Sequence, residues 1–284
     1  RFGDGHEFIP KEHAYANDLD ILGHASLYQY LNRTSSDMGS STLANWLLQP
    51  SDERTILQRQ AAAKELAAHT SWRQKLQALG AAKKIQTATQ ARLLEWFREE
   101  DRFINNKIWL WLRFLLPALI ITVVVLNIAG VVGDHLRNYF LLLSALFALY
   151  LSKKVTPLHQ QVSKMADELE VLEDSIRLIE QTKFTAEFLQ TLQSPFGHQD
   201  EKASAKLNRL KKILERLDLR FNFLVFIPLD ILLQWDLQQV IALEKWKQQN
   251  KENVMHWFEA LGSFEAISSL ATLSFNHPDW CFPV

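Results

Sequence analysis

Apolar and polar residues recur with a helical period over most of this chain, but near its middle the polar face disappears. Ile108 to Ile128 (IWLWLRFLLPALIITVVVLNI) carries a single charge, Arg113. After the polar break Gly133-Asp134-His135, Leu136 to Leu151 (LRNYFLLLSALFALYL) carries only Arg137. At a helical rise of about 1.5 Å per residue the first run reaches roughly 30 Å, the thickness of a bilayer's hydrocarbon core. The second run is shorter than the usual ~20 residues and needs local thinning or help from its flanks. Trp109, Trp111, Tyr139 and Tyr150 lie near the run ends, where amphipathic rings favour the membrane interface. Between Leu115 and Leu126 only Thr122 interrupts the apolar surface, whereas a soluble core helix keeps a polar stripe toward water. Transmembrane helices tolerate a proline such as Pro117. The pattern predicts a transmembrane helical hairpin over 108–152; the alternative is a hairpin buried in a large helical core.

On both sides of the hairpin the pattern predicts helices. Arg1 to Asp18 is irregular, and Asp20 to Leu31 forms a short element. Leu43, Trp46, Leu47 and Leu48 form a helical stripe ended by Pro50, which cannot continue a helix. Ser51-Asp52 offers an N-cap for a helix carrying Ile56, Leu57, Ala61 and Leu66, which should bury Trp46 and Leu47. Thr70-Ser71 caps a helix over Trp72 to Leu79, with Gly80 as its stop. Ala81 to Asp101 is again helical and runs into the hairpin. Beyond it, Met165, Leu169, Leu172, Ile176 and Ile179 repeat at four-three-four-three spacing, an a/d seam flanked by acids. These stretches read as antiparallel arms leading to and from the hairpin, the second broken at Ser194-Pro195-Phe196-Gly197. Phe221 to Leu233 is apolar but short, contains Pro228 and Asp230, and is expected as a buried core segment. Two more helical patterns cover Leu237 to Trp246 and Val254 to Phe275. The expected fold class is all-α. Its expected parts are 1–107, 108–152 (the hairpin), 153–193 (a second arm) and 194–284.

Charge adds an orientation. Arg102 and Lys107 precede the hairpin and Lys153 and Lys154 follow it, while its loop offers Arg137 beside Asp134. By the positive-inside rule both flanking parts face the cytoplasm, at the cytoplasmic membrane. A net charge of -1 and a pI near 6.8 advertise no polyanionic partner in bulk. The one cysteine, Cys281, leaves no internal disulfide. The chain opens at Arg1 and closes at Cys281-Phe282-Pro283-Val284, which reads as a piece of a longer protein.

Candidate chemistry is sparse. No Gly-x-x-x-x-Gly-Lys-Ser/Thr cradle for a nucleotide occurs, and the histidines lack metal-ligand spacing with cysteine or carboxylate. Glu99-Glu100-Asp101 reads as a solvated helix end. The expectation is therefore no catalytic, cofactor-binding or metal-binding residue. Lys202, Lys206, Arg209, Lys211, Lys212 and Arg216 lie against Leu207, Leu210, Ile213, Leu214 and Leu217. They are candidates for contact with DNA or anionic lipid, though such a stripe more often marks a solvated helix face.

One stretch carries a resemblance. It reads Leu27-x-x-x-Leu31-Asn32-Arg33-Thr34, then Met38-Gly39-x-x-x-Leu43-x-x-Trp46-Leu47-x-x-Pro50, then Ile56-x-x-Arg59-Gln60-Ala61 and Glu65-Leu66. In this order and spacing it resembles the core and lever region of the MutS family of DNA mismatch-repair ATPases. Phe264 to Ala271 and Trp280-Cys281-Phe282-Pro283 resemble the helix and turn that precede the family's ATPase domain. The resemblance implies structural roles for Arg33, Thr34, Met38, Gly39, Trp46, Pro50, Arg59 and Gln60, with Arg33 and Arg59 serving buried or interface hydrogen bonds. It also implies ATP and Mg bound in an ATPase domain outside this chain, through which a homodimer would form. Ser41 stands where family members carry a basic residue. No Phe-x-Glu mismatch-reading wedge is present, and the hydrophobic hairpin occupies the insertion point of the DNA clamp. The resemblance therefore implies a non-catalytic core and lever module of a membrane-tethered MutS-like ATPase, passing nucleotide-driven motion to the hairpin, with DNA binding at most weak. The alternatives are a DNA-binding repair module and a membrane scaffold.

Overall fold

The structure, a computed structural model, describes residues 3–197 and 201–283. Among them are thirteen α-helices and no β-strand; Ser36 and Ile85 form an isolated bridge. The first five helices are α1 (Leu27–Leu31), α2 (Asp37–Leu48), α3 (Glu53–Ala68), α4 (Thr70–Ala82) and α5 (Thr87–Arg98). The two apolar runs form α6 (Lys107–Ile128) and the start of α7 (Asp134–Ser163). After them come α8 (Ala166–Glu180), α9 (Glu187–Gln193) and α10 (Ala203–Asp218). The chain closes with α11 (Phe223–Leu233), α12 (Trp235–Asn250) and α13 (Asn253–Asn276). Residues 153–193 are thus divided among the end of α7, α8 and α9.

Local chemistry sets several boundaries. Ser36 Oγ accepts the Gly39 N–H at 2.9 Å, Asp52 accepts the Thr55 N–H at 2.9 Å, and Asn106 accepts the Ile108 N–H at 2.9 Å. Each satisfies a donor that a first helical turn leaves unpaired. α2 ends at Leu48, shortly before Pro50. The expected cap at Thr70-Ser71 is corrected: α4 begins at Thr70 behind His69 and no side chain caps it. Nor does Gly80 stop that helix, which runs on to Ala82. A Cβ at Gly80 would stand 2.0 Å from Ser35 Oγ, so the glycine makes room for a neighbour.

The chain divides into two compact units. The first comprises 1–91, 167–207 and 252–284. In it α13 lies across α2 and α3, over a cluster of Tyr28, Leu43, Ala44 and Ala266. Trp72, Phe184, Phe196 and Phe264 extend this core, with Trp72 and Phe184 edge to face at 5.6 Å. The seam residues Leu169, Leu172, Ile176 and Ile179 are all buried.

The second unit comprises 92–166 and 208–251. There α6 packs against α7, α11 lies on both, and α12 is largely buried beside them. Pro117 has no N–H to offer the carbonyl one turn back, that of Arg113. Gln238 Nε2 donates to that carbonyl at 2.5 Å and replaces the missing bond. Glu244 gathers the N–H groups of Arg102, Phe103 and Ile104 just ahead of α6, and Lys247 pairs with Asp101 at 2.9 Å. Trp96 and Trp246 stack at 6.3 Å. The expectation for Phe221 to Leu233 is overturned. Phe221 just ahead of α11, and Phe223, Leu224, Val225 and Ile227 on it, are exposed, because α11 is apolar but for Asp230 and can bury only the side that meets α6 and α7.

Candidate functional site

The segment Asn32-Arg33-Thr34-Ser35-Ser36 holds more hydrogen-bonding side chains than a short connector between α1 and α2 needs. Glu265, wholly buried on α13, explains the excess. Ser35 donates its O–H to Glu265 Oε1 at 2.6 Å and its N–H to Oε2 at 3.3 Å. Ser36 donates its N–H at 3.0 Å and its O–H at 2.6 Å to Oε2. Burial pushes the Glu265 carboxyl above its ordinary range, and the donors of Ser35 and Ser36 oppose that shift without cancelling it. Asn32 Oδ1 accepts the Thr34 N–H and O–H at 3.0 and 2.7 Å, which closes the turn. The Arg33 N–H reaches Ser269 Oγ at 3.1 Å, and its guanidinium donates to the carbonyls of Tyr30 and Asn32.

Met38 and Gly39 belong to the same contact. A Cβ at Gly39 would lie 2.1 Å from Glu265 Oε2, and one at Gly262 would lie 2.5 Å from Met38 Cγ. Two glycines on facing helices thus let α2 and α13 meet almost backbone to backbone. Ser41 turns its hydroxyl back to the Met38 carbonyl at 3.0 Å.

Trp46 is half-buried, not enclosed as expected. Its edge meets Phe188 with ring centroids 6.0 Å apart, and the Arg59 guanidinium lies 3.9 Å from the centre of its ring. The helix expected to bury Trp46 and Leu47, α3, thus meets Trp46 through Arg59, while its Ile56 and Leu57 are exposed and both Trp46 and Leu47 stay partly buried. Arg59 also donates to Ser51 Oγ at 3.0 Å, while its Nε is buried without a partner. Burial lowers the pKa of this guanidinium below its usual value. Pro50 is exposed beyond the end of α2. Gln60 donates to the Pro283 carbonyl at 3.1 Å, so the closing segment Trp280 to Pro283 lies against α3 and roofs an apolar cleft of 330 Å³.

On α10 the apolar residues Leu207, Leu210, Ile213, Leu214 and Leu217 are buried. Lys206, Arg209, Lys212 and Arg216 fall on one helical face by their spacing, with Lys202 just ahead of the helix, whereas Lys211 lies on the other edge with Glu215 and Asp218. Asp218 is engaged by His159 Nε2 at 2.8 Å. The candidate set is therefore one stripe of basic residues and one outlier.

The largest departure from an ordinary protein surface lies in the second unit. Only 11% of the apolar stretch of α6 and 22% of that of α7 is buried. Trp111, Phe114, Leu115, Leu142, Leu143, Leu146 and Leu149 all face outward. At the loop, Arg137 is paired with Asp134 at 3.1 Å and donates to Asn127 Oδ1 at 2.8 Å, which neutralises the loop's charges. At the other end Lys154 lies 4.6 Å from the Tyr150 ring centre and 5.8 Å from that of Trp109.

Sequence reasoning named most of these residues without their partners. It missed Glu265 as a hub and the buried pair of Arg220 with Asp236 at 2.6 Å. A carboxylate within the otherwise apolar and small run Ala260 to Ala271 is the signal for the first, and an arginine just ahead of an apolar helix is the signal for the second. Among the described residues no group of three or more His, Cys, Asp or Glu could hold a metal ion. The sequence profile of MutS domain III matches residues 14–271. No curated protein and no solved structure matches this chain.

Proposed function

This chain belongs to the MutS family, as a module of its core and lever region, and from that premise we propose that it is the membrane-tethered, motion-transmitting part of a MutS-like ATPase. Domain III is a non-catalytic domain of the family. In the proposed protein ATP and Mg bind to a separate ATPase domain, which also supplies the homodimer contact. Movement arising there passes through the helical core and lever arms to the hairpin of α6 and α7. The hairpin anchors the protein in the cytoplasmic membrane with both flanking parts in the cytoplasm.

The observation that carries this reading is the outward apolar surface of α6 and α7, which in α6 extends from Ile108 to Ile128 with Arg113 as its one charge. Exposed in water, a patch of that extent drives association, whereas in a bilayer it is matched by acyl chains. The basic residues support the orientation, since Lys107, Lys153 and Lys154 lie at one end and a neutralised loop at the other. The test is a comparison of the intact chain in plain buffer and in detergent, together with flotation on liposomes. The reading expects aggregation in buffer, dispersion in detergent and co-flotation with lipid. A chain that stays monodisperse in buffer and does not float overturns it.

A further inference from the structure

We infer that α11 and α12 form a re-entrant helix pair, entering the bilayer beside the hairpin, turning at Gln234 near mid-depth and returning to the side of entry, with acyl chains against the outer face of α11. The inference rests on the membrane reading of α6 and α7 and extends it to a third, non-crossing element.

Hydrogen bonds and ring contacts fix the depth of each end against α7. At the entry end His159 holds Asp218 at 2.8 Å and meets the Phe221 ring at 6.0 Å, and Arg220 reaches Ser152 Oγ at 3.5 Å. At the far end Ser144 donates its O–H to the Ile231 carbonyl at 2.5 Å, and Gln234 Nε2 donates to Ser144 Oγ at 2.8 Å. Residues 144 and 159 are about 22 Å apart along α7, so α11 runs antiparallel to it and inward. Ser144 lies about 13 Å inside Lys153, near the middle of a hydrocarbon core roughly 30 Å thick.

The return path is fixed against α6. Gln238 donates to the Arg113 carbonyl, in the first third of α6, and Glu244 binds the N–H groups of residues 102–104 ahead of it. The bend between α11 and α12 is 81°. Both ends of the pair therefore meet the same end of the hairpin, and the pair does not cross.

Its chemistry suits that depth. The turn residue Gln234 has a φ of 51° and is 1% exposed, and irregular backbone at membrane depth is tolerated only where protein covers it. Asp230 accepts the Asp236 N–H at 3.0 Å, and Asp236 pairs with the buried Arg220, so charges point into the bundle and away from lipid. Toward the outside α11 offers only apolar side chains, with Leu224 89% exposed. A helix of 11 residues spans about 16 Å, roughly half the core.

The test attaches an environment-sensitive fluorophore to single cysteines in the full chain carrying Cys281→Ser, reconstituted in phosphatidylcholine vesicles with doxyl-labelled lipid. Leu224→Cys probes the entry and Leu233→Cys the tip, with Phe223→Cys and Leu232→Cys as second variants. Leu142→Cys on α7 is the hairpin reference. The inference expects strongest quenching by a doxyl near the headgroup at position 224. At position 233 it expects strongest quenching by a doxyl near mid-chain, matching the depth profile of position 142. Equal shallow quenching at both α11 positions means a helix lying flat in the interface and overturns the pair. No quenching at either, with position 142 quenched, places α11 against water or protein and overturns it while the hairpin stands. No quenching at position 142 overturns the hairpin reading itself, and the pair with it.

Discussion

Glu265 and Glu65 are both glutamates that collect backbone N–H groups, but their surroundings reverse their behaviour. Glu265 is sealed in the core with four donors aimed at it. Glu265→Ala strands the two buried donors of Ser36, while those of the part-buried Ser35 can turn to water, and is expected to cost about 2–4 kcal/mol, because each unpaired buried group loses about 1–3 kcal/mol. Chemical denaturation in detergent checks it, and a loss below about 1 kcal/mol would contradict the hub. Glu65 instead caps the approach to α9, accepting from the Thr185 N–H and O–H at 2.9 Å and from the Ala186 N–H at 2.6 Å. Partial burial acts against its charge, but these donors outweigh it and hold the carboxyl below its ordinary range. A lowered folded pKa means that the contribution is full above the ordinary glutamate value near ~4.3 and is lost as pH falls through the folded value. Glu65→Gln should therefore flatten the acid limb of a stability-against-pH curve, and an unchanged limb would refute the cap. Trp46→Ala should cost about 1–2 kcal/mol, less than the ~3–5 kcal/mol of an enclosed tryptophan, since one face meets a guanidinium. The residue types at these positions were legible from the motif order. Their partners were not, because Ser35 and Glu265 are 230 residues apart and no local spacing connects them.

Among the elements, α6 shows how a defect in one helix is repaired by another. If Gln238 bonds to the Arg113 carbonyl because Pro117 cannot, the two substitutions must couple. Gln238→Ala alone should cost about 1 kcal/mol, and much less in a Pro117→Ala background, where the restored N–H serves the carbonyl instead. A double-mutant cycle with no coupling would show that the bond carries nothing. The seam of α8 and the apolar face of α10 were readable from periodicity, which depends only on which side is buried, and α6 from the loss of a polar face. The burial of α11 was misread because length and composition distinguish a membrane-crossing helix from a short one, not an enclosed helix from one open on its outer side. The extension of α7 to Ser163 was also hidden. Charges begin at Lys153, but a change of solvent does not interrupt the backbone hydrogen bonds of a helix. For α10 the expected outcome of a DNA titration is weak, non-specific binding at most, no tighter than about 10⁻⁴ to 10⁻⁶ M at physiological salt. Its log-log salt slope should lie near -0.9 for each phosphate neutralised. A competition assay showing preference for mismatched duplex, lost on charge reversal of Arg209 and Lys212, would favour the DNA-binding module instead.

Across the whole molecule, family membership and membrane character come from different parts of the sequence. The domain III match takes in both compact units, yet the motif residues Arg33 to Gln60 lie in one and the apolar surface in the other. All-α architecture was legible because helix formers and capping residues agree along nearly the full length. The division into units was not, since the second is assembled from two stretches separated in the chain, 92–166 and 208–251. Purification offers a direct check at this scale. Extraction from a host membrane should require detergent and should resist high salt and alkaline washing, because apolar contact with lipid is not screened. Release by salt alone would mean that the basic residues hold the protein at the surface and that α6 and α7 do not enter.

The two glycines between α2 and α13 also constrain how this family can drift. A Cβ at position 262 would meet not only Met38 Cγ at 2.5 Å but the backbone of residues 38 and 39 at 3.1 and 3.2 Å, and one at position 39 would meet the Glu265 Cβ at 2.9 Å as well as its carboxylate, so trimming the facing side chain alone opens neither place. Both positions should therefore stay glycine among relatives that keep this helix spacing, whatever stands at 38 and 265. A relative bearing a bulky residue at 262 beside an intact methionine at 38 would have to hold its helices farther apart.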